Sequence, residues 1–431
     1  MQGFFCYTPP LFGGAGRCMH PARCIIVGGR GRKQRNMSEV TFNAQDLFDE
    51  ARRETGLDDS GGPWPGRQAD GSLREALEVL CETYKANPFT ERGRRRNRRR
   101  LVQLLSTRLR VQKAFVDHPE ILEQPLAAPM VLTGLPRSGT SALFNLLACD
   151  PSARALLLWE TQFPDPAEGM APGDPGSGKH DPRRQMIKDY YEQARQKNPG
   201  FTKIHFADAD TPEECVLLHA YSLNGVHLGV EPMLEPYGSW YRRQDLLPMY
   251  RYYRAQLQLL QWQRPGERWL LKAPAHMWAI DSLLEVFPGA SILWSHRDPL
   301  ACTASICSMT DAIPAGTLEW DKGKLGPVVM DFYASSLERG LAVRDKSPAG
   351  RFYDVGHDDF VADPKLLVEG AYKHFGLELG QQAADSMRQH TAANPRDRHG
   401  SHDYSLEEWG LSPEQVRERF APYTDRFGIS C

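Results

Sequence analysis

The chain has 431 residues, enough for one large or two ordinary domains, and its 41% hydrophobic content supplies a sizeable core. A formal net charge of −2 gives no overall pull toward nucleic acid, and no run of about 18 apolar residues offers a transmembrane span. The nine cysteines are odd in number, scattered and without a C-x-x-C pair, which suggests neither a zinc ribbon nor a disulfide framework and fits a reducing cytoplasm.

Residues 1–36 hold six Lys/Arg and no acid, with several Gly and Pro and no sustained periodicity. The apolar centre Cys24–Val27 is too short for a secretory signal, and the helical spacing of a transit peptide is missing. This segment is read as a disordered or artefactual extension upstream of a start at Met37. Residues 37–128 form an N-terminal helical region, with helices over Asn43–Glu54, Leu73–Ala86 and Glu91–Val116. Asp58–Gly71, rich in Gly, Pro and Asp, is loop. Seven arginines between Arg92 and Arg100 form either a basic patch for an anionic lipid or polyanion, or a solvated helix face. The buried stripe Leu101, Leu104, Leu105 and Leu109 favours the second reading.

Met130–Leu147 organises the rest. A short apolar run between Pro129 and Gly134 predicts a buried strand. Pro136, Arg137, Ser138 and Gly139 make a turn, and Leu143, Phe144, Leu146 and Leu147 recur at helical spacing. A strand, a tight turn and a helix start together make an anion site, because the first helical N–H groups have no internal partner and the helix dipole is positive there. Ser138, Thr140 and Ser141 add hydroxyl donors, and Arg137 adds a fixed, planar charge. No Lys follows Gly139, so this is not the G-x-x-x-x-G-K-[ST] loop of nucleotide triphosphatases.

An apolar run from Leu156 to Trp159 stops at Glu160. Residues 164–182 are Pro/Gly-rich loop, and 183–262 read as mostly helical, with a helix start at Thr211-Pro212-Glu213-Glu214 and a second helix over Leu246–Trp262. This insertion, about 164–262, lies between two α/β portions and is the natural place for an acceptor pocket. Strand signals return at Trp269–Lys272 and Ala290–His296. A helix runs over His276–Phe287, and Asp298-Pro299 begins another that carries Ser305. The alternation predicts an α/β fold with a central parallel sheet and binding residues at the strands' carboxyl ends. Arg137, Lys272 and Arg297 each stand at such an end, a convergence of cations that suits a ligand with several phosphates.

Pro136-Arg137-Ser138-Gly139-Thr140-Ser141 resembles the 5′-phosphosulfate loop of the sulfotransferase superfamily, Pro-(Lys/Arg)-(Ser/Thr)-Gly-Thr-(Thr/Ser). Arg297, with Ser305 eight residues later, resembles the pair that holds the 3′-phosphate of 3′-phosphoadenosine 5′-phosphosulfate in that family. Leu-Trp-Glu, Leu-Lys-Ala-Pro-Ala-His, His-Arg-Asp-Pro and Asn394–Gly400 follow in an order similar to a bacterial branch related to tyrosylprotein sulfotransferases. The resemblance covers nearly all of residues 40–429. It implies a P-loop-like three-layer sandwich over residues 129–431, that nucleotide as co-substrate, no metal, and a small-molecule, lipid or carbohydrate acceptor. Peripheral membrane contact is compatible with it; the oligomeric state is not indicated.

Carried over residue by residue, the resemblance makes Arg137 the cation at the leaving oxygen, with Lys272 in reach of the same phosphosulfate unless it is spent in a surface ion pair. Glu160, followed by Thr161, resembles the base of tyrosylprotein sulfotransferases, and apolar Trp159 beside it predicts a raised pKa. His276 is the rival, by its placement upstream of Arg297; His205 is read as a loop contact. Arg398 and Gly400, with Arg396 and His399 nearby, resemble the Arg-Lys-Gly loop that closes on the 3′-phosphate. Two positions depart from the cytosolic branch: Ala142 stands for a Trp that stacks on adenine, and His357 for a Tyr that contacts it. Tyr221, Trp240, Tyr241, Tyr250 and Trp262 make the insertion aromatic, as an apolar acceptor or an ordinary core would require. A P-loop kinase or nucleotide hydrolase, or a non-catalytic anion or lipid binder, are the alternatives.

Overall fold

A computed structural model describes residues 40–58, 70–167, 177–197, 208–225, 230–394 and 405–430. Five parallel strands form one sheet: Met130–Gly134 (β1), Ala153–Ala155 (β2), Arg268–Lys272 (β3), Ser291–His296 (β4) and Phe352–Gly356 (β5), in the order β2-β3-β1-β4-β5. β1 is central and buried at every position, as its uninterrupted apolar run requires.

Alternation along the strands assigns the faces. Met130, Leu132, Leu270, Leu293 and Val355 point one way, into a core shared with Leu143, Phe144 and Leu147 of the helix Thr140–Leu147 and with Val368 and Tyr372 of Pro364–His374. Val131, Leu271 and Ile292 point the other way, onto helices Glu91–Asp117 and Leu247–Gln263. Trp294 meets Ile306, Leu337 and Phe420 on that same side. The result is the three-layer sandwich implied above. Each fully buried Leu or Phe contributes roughly 2 kcal/mol relative to exposure.

The N-terminal helices Ala44–Thr55, Asp70–Ala86 and Glu91–Asp117 occupy the expected stretches. Leu101, Leu104, Leu105 and Leu109 form the buried stripe, and residues from Phe42 to Ile121 share one core with Cys215–Leu260. Several of the seven arginines are drawn into the protein. Arg94 donates to the carbonyls of Tyr84 and Phe89, Arg98 pairs with Glu50, and Arg100 is buried.

β2 has already stopped at Ala155 when the apolar run from Leu156 begins, and a short helix Leu158–Gln162 carries Glu160 inward. Two expectations are corrected. Thr211–Glu214 does not start a helix. Its backbone is extended, because the Glu213 N–H donates to Leu156 O at 2.9 Å and the Cys215 N–H to Lys272 O at 2.9 Å; helix begins at Val216. The helix expected from His276 opens instead as a 3-10 segment, Pro274–Ala279, before Ile280–Val286. Residues 1–36, Met37 and most of Asp58–Gly71 lie outside the described residues.

Candidate active site

The connection leaving β1 runs toward β2 and β3, while β3 is followed by β4 on the opposite side of β1. The crevice at the carboxyl ends of the middle strands is thus a switch point, where α/β sheets bind ligands. Three adjacent strands deliver their ends there: β1 the loop 135–139, β3 Lys272, and β4 Arg297.

The loop is held from several directions. Ser138 Oγ donates to Leu135 O at 2.7 Å, and Ser295 Oγ of β4 donates to Ser138 O at 2.7 Å. Gly134 (φ +146°) passes so close to β4 that a Cβ there would lie 2.4 Å from Ser295 O. Gly139 has φ +90° and caps the helix Thr140–Leu147 without any side-chain cap bond, so the first N–H groups face the crevice. Arg137 is left-handed at φ +73°, a conformation that costs a non-glycine residue on the order of 1 kcal/mol.

Arg297 offsets that strain. Its Nη1 donates to Arg137 O at 2.7 Å, while Arg137 Nε donates to Ser305 Oγ at 3.0 Å. The loop arginine, the β4 arginine and the serine on Pro299–Ala312 therefore meet in one place. Pro136 forms the turn, and Thr140 and Ser141 open the helix. Lys272, nearly fully buried, is no surface ion pair: its Nζ donates to Ser141 Oγ at 3.2 Å and is paired with Glu214. His357, just past β5, packs its ring against Gly139, with Nδ1 3.0 Å from where a Cβ would stand. Burial and the Arg297 charge lower its pKa.

Glu160 is 1% exposed and is bonded to other partners. Both oxygens accept from Arg154 (2.7 and 2.8 Å) and from Arg264 (2.9 and 3.1 Å), and Oε2 also accepts from Leu157 N at 3.0 Å. Burial alone would raise its pKa, but the two guanidinium charges hold it down to about 2. The raised pKa expected beside Trp159 is therefore incorrect: the sequence shows the apolar neighbour but not Arg264, which is more than a hundred positions away.

His276 is fully buried, its Nδ1 2.7 Å from Tyr250 Oη and its ring beside His219. Burial, then His219, pushes its pKa well down. Tyr221, Trp240, Tyr241 and Tyr250 are buried core aromatics, and Trp262 is partly buried against the same core. Arg398 and Gly400, like Arg396, His399 and His205, lie outside the described residues.

Sequence reasoning missed Glu214 as a site residue, having read it as a helix-start acid. Fifty-eight positions separate it from Lys272, and only the extended course of 211–215 across the ends of β2 and β3 brings the two together. Cys215 fixes the register: its N–H donates to Lys272 O, and its Sγ accepts from Lys272 N at 3.2 Å. Glu213, next to it, has its pKa raised to about 7 by burial and by the Glu214 charge. Among the described residues, no helix is long and apolar enough to cross a membrane and no group of His, Cys, Asp or Glu is arranged to hold a metal.

Comparison with known proteins bears on this geometry. A family model described as "Sulfotransferase family" matches residues 129–381, from the strand before the loop to the helix Gln381–Ala393. The crystal structure of sulfotransferase STF1 from Mycobacterium tuberculosis H37Rv is 33% identical and superposes with a TM-score of 0.77 over 89% of this chain and 100% of that one. Sulfotransferase STF9 from Mycobacterium avium is 29% identical, with a TM-score of 0.80 over 92% of this chain and 99% of that one. Omega-hydroxy-beta-dihydromenaquinone-9 sulfotransferase Stf3 of Mycobacterium bovis is 28% identical over 168 residues, 37% of this chain. The match spans 40% of that relative's length.

Proposed function

The chain belongs to the sulfotransferase family, and on that premise we propose that it moves a sulfonate from 3′-phosphoadenosine 5′-phosphosulfate to a hydroxyl of an apolar, lipid-like acceptor. One observation carries the donor assignment: Arg297 on Arg137 O and Arg137 on Ser305 Oγ, at 2.7 and 3.0 Å, beside an uncapped helix start. A nucleotide with phosphates at both ends needs donors for each. The helix start, Ser141 and Arg137 suit the phosphosulfate, and Arg297 with Ser305 suits the 3′-phosphate.

In sulfonate transfer the acceptor and leaving oxygens lie roughly in line, and the protein mainly positions them and stabilises developing charge. Arg137 and Lys272 supply fixed positive charge where the bridging oxygen becomes negative. The acceptor hydroxyl must lose its proton, and Glu214 is a carboxylate paired with Lys272 at this end of the sheet. When the donor's negative charge attracts Lys272, the Glu214 oxygen paired with it is freed to accept that proton. Glu160 and His276 are assigned structural roles, since one has both oxygens occupied by guanidinium groups and the other is sealed under Tyr250.

The lipid-like acceptor rests on the menaquinone derivative in the name of Stf3. Free thiols at Cys81, Cys215, Cys302 and Cys307 fit a reducing cytoplasm. The test is calorimetry of the purified chain with 3′,5′-ADP, then incubation with the phosphosulfate donor and a panel of hydroxylated quinones and other lipid alcohols, read by mass spectrometry. Nucleotide binding and an acceptor gaining one sulfonate are expected. Binding without any sulfonated product supports a non-catalytic binder, and no binding at all overturns the donor assignment.

A further inference from the structure

β4 stops pairing with β5 at His296, opposite Gly356, and the next helix begins at Pro299. Arg297 lies between these elements, so neither the sheet nor the helix fixes its backbone N–H. That N–H donates to Tyr423 Oη, at 3.4 Å, on the C-terminal helix Pro413–Phe427. The same hydroxyl lies 3.2 Å from His296 Nδ1, and His296 Nε2 lies 2.8 Å from Asp354 Oδ1 on β5. Asp354 is held in turn by Arg344, whose Nη2 reaches Oδ2 at 2.6 Å.

The direction of each bond follows from chemistry. An ionised carboxylate only accepts, so Nε2 of His296 carries the proton. Burial, against the pull of Asp354, lowers the His296 pKa, so the ring is neutral and Nδ1 is an acceptor. Tyr423 must then donate to Nδ1, which turns its oxygen lone pair toward the Arg297 N–H. The imidazole cannot rotate away, because Phe427 stacks on it at 3.9 Å between ring centroids, one helical turn beyond Tyr423. Val416, Phe420 and Tyr423 bury the helix against Pro299–Ala312 and Lys322–Arg344, and a capping box at Ser412 starts it.

We propose that Tyr423 is a positioning residue for the nucleotide site: it fixes the Arg297 backbone so that the guanidinium points at Arg137 O and at a phosphate held with Ser305. The C-terminal helix then belongs to the binding machinery although it presents no group to the nucleotide. This inference rests on the donor assignment above.

Tyr423→Phe keeps the ring and removes only the hydroxyl. The 3′,5′-ADP dissociation constant is expected to rise about three- to tenfold, as for one lost hydrogen bond. At saturating donor, kcat is expected to hold while the KM for the donor rises. In an Arg297→Ala background the same change is expected to have no further effect on affinity, since the group it positions is gone. A tyrosine that serves packing alone would lower the unfolding midpoint and leave nucleotide affinity unchanged. Equal affinity of Tyr423→Phe and the unaltered protein, or an equal loss with and without Arg297, overturns the proposal alone. Failure of the unaltered protein to bind 3′,5′-ADP overturns the donor assignment and this proposal together.

Discussion

Arg154 grips Glu160 through two parallel hydrogen bonds of 2.7 and 2.8 Å, both side chains almost completely buried and the guanidinium lying 4.3 Å above the Trp269 ring. Arg264 adds a second pair of bonds from the end of Leu247–Gln263. The cluster fastens β2, β3 and that helix to each other. Glu160→Gln leaves two guanidinium groups facing a neutral amide, and breaking a buried pair from one side costs about 3–5 kcal/mol. The expected result is a large fall in unfolding midpoint, with kcat per folded molecule within a few-fold of normal. A loss of turnover of a hundredfold or more in protein that remains folded would return Glu160 to the role of base.

Acid should release the same cluster. The carboxyl ionises near 4.5 in the unfolded chain and near 2 in the folded one, so folding favours the deprotonated form. Its contribution is fully present above 4.5 and is lost as pH falls from there toward 2, on the order of 3 kcal/mol in all. Denaturant titrations between pH 7 and pH 3 should show stability falling below pH 5. The slope should be shallower in Glu160→Gln, and an unchanged slope would show that other groups carry the acid sensitivity.

Arg137 allows stability and activity to be driven apart. Its φ of +73° is one that glycine adopts freely. Arg137→Gly should unfold no more easily than the unaltered chain, or slightly less easily, yet lose about 10²–10³-fold in transfer as the charge beside the leaving oxygen disappears. A parallel fall in stability and rate would mean that the guanidinium bond to Ser305 outweighs the backbone strain. Calorimetry and steady-state rates on one preparation decide between these outcomes.

Gly139 is constrained twice, by φ +90° and by the His357 ring, 3.0 Å from the position of a Cβ. Gly139→Ala should cost roughly 1–2 kcal/mol in stability and displace either the helix start or His357. Nucleotide binding is expected to weaken about tenfold or more. Alanine at this position with unchanged 3′,5′-ADP affinity would show that the helix start is not where the phosphosulfate sits.

Much of this site is legible in the residue string because its parts are local. The loop is a contiguous strand, turn and helix, and Ser305 follows Arg297 within the first turns of one helix. Apolar runs marked β1, β3 and β4. β2 and β5 were not anticipated: three residues with an arginine among them, and a half-exposed edge strand, carry no such run. What remained hidden was long-range. Glu160 and Glu214 are both acids beside apolar neighbours, and only the folded chain shows Arg264 beside the first and Lys272 beside the second. Nothing in the residue string singles out Tyr423, because its hydroxyl acquires a purpose only when the C-terminal helix packs beside the end of β4.

Glu214 is the sharpest point of comparison, since it and Glu160 are buried glutamates facing cations with opposite consequences proposed. Glu214→Gln is isosteric, keeps a polar partner for Lys272 and leaves the backbone bonds of Cys215 in place. Nucleotide affinity should therefore change by less than a few-fold, because the phosphate donors are untouched. Transfer should fall by about 10²–10⁴, the range for removal of a general base. Glu213→Gln, one residue earlier, serves as the control: its Oε1 accepts from the backbone N–H of Glu214 at 2.9 Å, so a modest loss is expected. Should Glu213→Gln abolish turnover while Glu214→Gln preserves it, the carboxyl already raised to about 7 would be the base, and Glu214 would be only a counter-ion for Lys272.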